Sequence, residues 1–211
     1  MSNKQHREAA QQRVDARQEL KAQQAIEQAR QATRRRTRRI ASVAVALVVV
    51  ALVAGGLWSA RPTSDTASRP APGFSLTTTA GTTVSLADFR GKPVILYFNE
   101  GAGCGSCTQQ MAAIEKDTAF QDAGIVVLPI VMNTAEQIKP DLTTFGVTTP
   151  YLLDDGTVSK AYETLGKGMH EGLPGHGFVL IDKDGVQRWQ GDYPSMWLDP
   201  QDLLQEATSR L

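Results

Sequence analysis

The sequence predicts an α/β domain, a mixed central sheet with helices on both faces and a hairpin extension at its N-terminal side, preceded by a single transmembrane helix. Three observations carry this reading. Ile40–Trp58 is a 19-residue stretch without a charged side chain. Two continuous apolar runs of strand length, Pro93–Phe98 (PVILYF) and Ile125–Met132 (IVVLPIVM), read as strands buried on both faces, each followed by a helical pattern. The only two cysteines, Cys104 and Cys107, fall between the first of these strands and its helix.

The 19 residues of Ile40–Trp58 span about 28 Å as a helix, close to the ~30 Å of a bilayer's hydrocarbon core. Five arginines (Arg34–Arg36, Arg38, Arg39) crowd one end and Trp58 closes the other. A neutral overall balance, 22 Lys/Arg against 22 Asp/Glu, hides a division: residues 1–39 carry 11 basic and 4 acidic side chains, the remainder 11 and 18. Basic flanks stay cytoplasmic, so the tail is expected inside and residues 59–211 outside. A cleaved signal peptide has a short basic region and an apolar run of about 7–15 residues. Both are longer here, which favours an anchor. The tail is helical by propensity, and its only large aliphatics, Val14, Leu20 and Ile26, are too sparse for a coiled-coil seam. It reads as a solvated or membrane-surface arm with no nucleic-acid partner.

Ser59–Pro72 is Pro, Ser, Thr and Ala with almost no large apolar residue, and is expected to be a flexible linker. The compact domain is then 73–211. Phe74–Thr78 and Thr83–Leu86 form an opening hairpin. Helices are expected at Cys107–Phe120, at Thr134–Phe145 with Pro140 kinking or splitting it, at Val158–Leu165, and at Pro200–Arg210 with Asp199 as N-cap. Short strands follow at Tyr151–Leu153, Gly177–Asp182 and Val186–Gln190, the last two around the turn Asp182-Lys183-Asp184-Gly185. Pro129 is an awkward member of the second buried strand.

A Cys-x-x-C pair at a strand-to-helix junction has a chemical reason. Unpaired N–H groups and the helix dipole favour the thiolate, the attacking species. Cys104, at the tip, is the expected nucleophile, and Cys107, a turn inward, the resolving thiol. No further cysteine exists to complete a zinc site, and neither a metal nor a cofactor is expected. The expected partners are protein dithiol or disulfide clients and an upstream electron donor or acceptor.

From about Pro70 to Ala207 the chain resembles the thioredoxin-like proteins of the alkyl hydroperoxide reductase/thiol-specific antioxidant (redoxin) group. Among these it is most similar to membrane-anchored extracytoplasmic members such as the thiol reductases of cytochrome c maturation. PGFSL, VSLADFRGKPVILYF leading into Cys-Gly-Ser-Cys, and FVLIDKDGVQRW carry the resemblance. It implies a thioredoxin-like fold and thiol–disulfide oxidoreductase activity. It also implies a cis-proline facing the disulfide, for which Pro174 is favoured, with His176 at that place when no gap is allowed. Group members place a Trp before the first cysteine and a Pro between the two; here stand Gly103 and Gly105-Ser106. The buried acid of thioredoxins is missing from Val94–Phe98, and Glu100 is the nearest replacement as proton acceptor. Met169, His170 and Glu171 precede the cis-proline loop and border the site. Two alternatives share the fold. Peroxiredoxins resemble one another in a Pro-x-x-x-Thr-x-x-Cys run, but Tyr97 and Gly101 stand in those places before Cys104. Sco-type copper chaperones use two cysteines and a histidine from the His176 region, with a Cys-x-x-x-Cys spacing one residue wider than here.

Overall fold

A computed structural model describes residues 2–59, 61–168 and 170–211. In the first helix it describes side chains at 17, 20, 21, 23, 24, 27, 28, 30 and 31 and throughout 33–59. Val14 and Ile26 in the tail, and Met169, lie outside these described side chains. The chain divides into two units, residues 1–59 and 60–211.

The first unit is one helix, α1 (Ser2–Ser59). Within it Thr33–Ser59, 27 residues, is long and apolar enough to cross a membrane. Its aliphatics all lie exposed, so none of that apolar surface is covered by protein. A helix apolar all round and buried nowhere suits a lipid environment.

The second unit is built on a mixed sheet. Its strands are β1 (Thr63–Asp65), β2 (Arg69–Pro70), β3 (Ser75–Thr78), β4 (Thr83–Ser85), β5 (Val94–Phe98), β6 (Val126–Val131), β7 (Leu152–Leu153), β8 (Gly177–Ile181) and β9 (Val186–Asp192). Their spatial order is β1-β9-β8-β5-β6-β7-β3-β4, with β2 also paired to β9. β5 runs parallel to β6 and antiparallel to β8. The helices are α2 (Gly105–Lys116), α3 (Ala119–Asp122), α4 (Ala135–Phe145), α5 (Thr157–Ala161) and α6 (Pro200–Thr208). Alternation along β5 divides the core. Ile95 and Tyr97 pack on one face with Met111 and Ile114 of α2, Ile138 and Leu142 of α4, and Leu203 of α6. Val94, Leu96 and Phe98 pack on the other with Phe74, Val158 and Tyr162. Both faces of the central strand are buried, hence its unbroken apolar sequence.

Several boundaries correct the sequence reading, each for a local reason. The expected linker contributes β1 and β2, which pair antiparallel with β9, Thr63 opposite Asp192 and Arg69 opposite Gln187. Backbone pairing needs no apolar side chains, and it covers what would otherwise be an open edge. The helix expected from Cys107 starts at Gly105 and ends at Lys116, because Asp117 turns extended and its carboxylate accepts the Ala119 N–H. α4 runs unbroken through Pro140: the carbonyl it leaves unpaired lies on the exposed face, while Ile138 and Leu142 hold the other face to the core. Pro129 sits in register opposite Tyr97 without a bulge, and β7 begins opposite Ile130, so no ladder is interrupted on that side. α5 stops at Ala161, since Glu163 adopts φ 56° and Leu165 bridges to Pro174.

Topology gathers several loops at one end of the sheet. β5 and β6 end there, β8 starts there, and β9 ends there, so the loops after β5, β6 and β9 and the one before β8 lie at the end of the sheet where α2 begins.

Candidate functional site

Cys104 is the N-cap of α2, and its sulfur accepts the Cys107 N–H at 3.3 Å. The two cysteines form a disulfide, with Cα atoms 5.3 Å apart. Cys104 is half-buried and Cys107 fully buried. In the reduced chain the same N–H aims at a Cys104 thiolate. That charge-assisted bond, added to the dipole of a 12-residue helix, lowers the cost of ionising this sulfur. Cys107, by contrast, is fully buried and out of reach of a large client.

The approach to Cys104 is held by three polar side chains. Asn99 Oδ1 accepts the Gly101 N–H at 3.1 Å, Asn133 Oδ1 the Ala102 N–H at 2.9 Å, and Asp141 Oδ2 the Gly103 N–H at 2.8 Å. Gly101 has φ +78°, and a Cβ there would run into the Asn133 side chain. Only glycine fits, for both conformation and space. The sequence signal for these anchors was faint: a buried asparagine directly after an apolar strand.

Behind the disulfide lies a polar chain inside the core. The Tyr97 hydroxyl, fully buried, donates to the Cys107 carbonyl at 3.0 Å and stands 3.2 Å from His176 Nδ1. A phenol has one proton; when it goes to the Cys107 carbonyl, His176 must carry its own on Nδ1 and donate to the phenol oxygen. Burial, with a smaller contribution from Tyr151, pushes the Tyr97 phenol well above its ordinary pKa. Burial also pushes the His176 imidazole down to about 4. His176 Nε2 is buried with no hydrogen-bond partner.

His176 lies immediately before β8, whose Gly177 pairs with Phe98, and its ring is linked to the Cys107 carbonyl through the Tyr97 hydroxyl. The expectation of a cis peptide at Pro174 is corrected. Among the described residues no peptide bond is cis, and Pro174 is fixed two residues upstream by its bridge to Leu165. Glu100 is brought together with His170, not into the Tyr97–His176 chain. Its carboxylate, 5% exposed, accepts from His170 Nδ1 at 2.9 Å and lies against Gly168, where a Cβ would collide with it. His170 is 63% exposed, and Glu171 is exposed. Among the described residues no group of three His, Cys, Asp or Glu side chains is assembled to hold a metal.

The His176 shift has a consequence for stability. Its folded pKa of about 4 lies below the ordinary ~6.5, so the unfolded chain binds a proton that the folded chain refuses. This contribution is fully present above pH ~6.5 and is lost as pH falls, by about 1.4 kcal/mol per unit down to about pH 4. His176→Gln, which can still reach Tyr97, should flatten the pH dependence of the full chain's unfolding free energy by that slope. An unchanged slope would show that His176 takes up its proton in the folded state.

Comparison with known proteins places this geometry in a family. Residues 67–190 match the model of the AhpC/TSA family. A Mycobacterium tuberculosis protein whose name places it among the peroxiredoxins is 33% identical over 121 residues, covering 54% of this chain and 77% of that protein. The solution structure of a Bacteroides thetaiotaomicron protein described as a candidate protein disulfide isomerase is 26% identical, with TM-score 0.51 over 68% of this chain and 88% of that one. Enterococcus faecalis AhpC, 15% identical, shares the fold with TM-score 0.60 over 69% and 92%.

Proposed function

The chain belongs to the AhpC/TSA family, and we propose that within it this protein is a membrane-tethered thiol–disulfide oxidoreductase, attacking with Cys104 and resolving with Cys107. The observation that carries the reading is the pair's asymmetry. One sulfur is reachable at a helix N-terminus and the other is buried one turn inward, already joined to it. In the reducing direction the Cys104 thiolate attacks a client disulfide, forming a mixed disulfide and releasing one client sulfur. Cys107 then attacks the Cys104 sulfur, the intramolecular disulfide closes, and the second client sulfur leaves as the thiol. Two electrons pass to the client, and an upstream donor restores the dithiol. The oxidising direction runs the same steps backwards. Tyr97, pinned to the Cys107 carbonyl, fixes the first turn of α2 during both steps.

A peroxidase is the second reading, favoured by the 33% identical relative named as a peroxiredoxin. A paired assay, peptide disulfide against hydrogen peroxide with one reductant, separates the two.

The tether is read from Thr33–Ser59, whose uncharged stretch from Ile40 follows five arginines at its N-terminal end. The tail then lies in the cytoplasm and residues 60–211 outside it. In a background lacking both native cysteines, Thr66→Cys should react with a membrane-impermeant maleimide in intact cells, and Gln12→Cys only after permeabilisation. The opposite pattern reverses the orientation, and loss of the Gln12 position from the mature chain makes the segment a cleaved signal.

A further inference from the structure

We infer that Asp141 is a positioning residue of this site, a carboxylate that biases the Cys104–Cys107 pair towards donating electrons. The inference rests on the exchange reading above and deepens it by giving the exchange a direction.

The backbone N–H groups of Gly101, Ala102, Gly103 and Cys104 precede the reacting sulfur, and each already has an acceptor. Gly101 donates to Asn99 Oδ1, Ala102 to Asn133 Oδ1 and Gly103 to Asp141 Oδ2, while the Cys104 N–H closes on the Gly101 carbonyl at 3.0 Å. Gly101 and Gly103 both lie in the left-handed region, at φ +78° and +88°. Successive N–H groups in such turns make concavities that bind anions. Here that capacity is taken up inside the loop, so these groups are not left for a thiolate on Cys104. The other acceptors are amide or carbonyl oxygens. Asp141 is the carboxylate among them, and it holds the residue next to the nucleophile.

The place of Asp141 is fixed by contacts on both sides of Cys104 in the chain. It accepts the Gly103 N–H at 2.8 Å, and Phe145, one turn further along α4, lies against Gly105, where a Cβ would come within 3.4 Å of its ring. The covalent path from the Gly103 nitrogen to the Cys104 sulfur, added to that hydrogen bond, bounds the carboxylate at about 10 Å from the sulfur. Glu100, another carboxylate at this end, faces His170 at 2.9 Å, and His176 is buried.

The helix terminus and the Cys107 N–H favour a thiolate on Cys104, and a negative charge within this range opposes it. The opposition falls on the reduced state alone, because a disulfide sulfur carries no charge. A dithiol whose reduced form is less stabilised is the stronger reductant. As the Cys104–Cys107 bond forms, two electrons and two protons pass to the client disulfide, which leaves as two thiols.

The test equilibrates the full chain in detergent with mixtures of reduced and oxidised dithiothreitol, an uncharged couple, and counts free thiols after acid quenching. Asp141→Asn keeps an oxygen for the Gly103 N–H and removes the charge. It should move the equilibrium about threefold towards the dithiol, equivalent to about 14 mV. Reduced Asp141→Asn should also react with iodoacetamide at Cys104 about threefold faster at neutral pH. Asp141→Glu, which retains the charge, should hold the wild-type equilibrium. The gap between wild type and Asp141→Asn should narrow in about 1 M salt, where charges are screened within about 3 Å; a purely structural change would not respond. An equilibrium that Asp141→Asn leaves in place or moves towards the disulfide, or a gap indifferent to salt, overturns the role. Failure of wild type to reduce insulin would sink the exchange reading separately, because the dithiothreitol equilibrium involves no client.

Discussion

The Cys107→Ser chain should accumulate mixed disulfides with client proteins, and the Cys104→Ser chain at least about tenfold fewer. Geometry sets this asymmetry before any chemistry begins. Cys104 is half-buried at the head of α2, its sulfur 3.3 Å from an N–H that remains after Cys107 becomes serine. Cys107 is fully buried, packed under β5 with its carbonyl held by Tyr97. A thiol pKa lowered by one unit raises the thiolate fraction near neutral pH about tenfold, and a helix N-terminus acts in that direction. With Cys107 gone, the adduct on Cys104 cannot be resolved and persists. With Cys104 gone, the remaining thiol is buried and screened from clients. Covalent adducts resolved on non-reducing gels after acid quenching give the count directly. Equal trapping by the two variants would mean that the polarity is reversed or that α2 opens during exchange.

What the sequence disclosed about this site follows the range over which its signals act. The strand Val94–Phe98 and its partner Val126–Val131 were legible because a strand buried on both faces must be apolar throughout. The Asp199 N-cap and the Asp182 turn were legible because their hydrogen bonds close within a few residues: Gln201 to Asp199, and Asp184 and Val186 to Asp182. The Tyr97–His176 contact joins residues 79 apart, and no local pattern distinguishes a tyrosine that must find a partner from one at a strand's rim. The same distance problem produced the choice between Pro174 and His176. Counting back from Ile181 without a gap gives His176 and a two-residue slip gives Pro174, and local sequence offers no way to choose between them. The segment before Gly73 was misjudged for a different reason. Composition measures the power to bury a core, whereas β1 and β2 contribute backbone bonds to an edge already built.

Reduced full-length protein should exchange with insulin or a small peptide disulfide and should consume hydrogen peroxide about 10²–10³-fold more slowly than a peroxidase of the same fold. Both halves come from the surroundings of Cys104. A resolving sulfur three residues away, already within bonding reach, makes the intramolecular disulfide the easy product of any mixed disulfide. Cleaving a peroxide bond needs something further, hydrogen-bond donors placed around the oxygen on which charge develops. Resembling peroxidases place a threonine three residues before the attacking cysteine. Here that residue is Gly101, and the space a side chain would need is filled by Asn133, which is itself engaged by the Ala102 N–H. The hydroxyl is absent, and its location has been given to a different bond. Gly101→Thr alone should therefore not restore peroxidase activity, because φ +78° and the Asn133 contact both resist it. The assay pairs the two substrates with one reductant and one enzyme concentration. Rapid peroxide consumption alongside undetectable disulfide exchange would make the chain a peroxidase and would show that the Asn133 amide or backbone N–H groups supply the donors that Gly101 cannot.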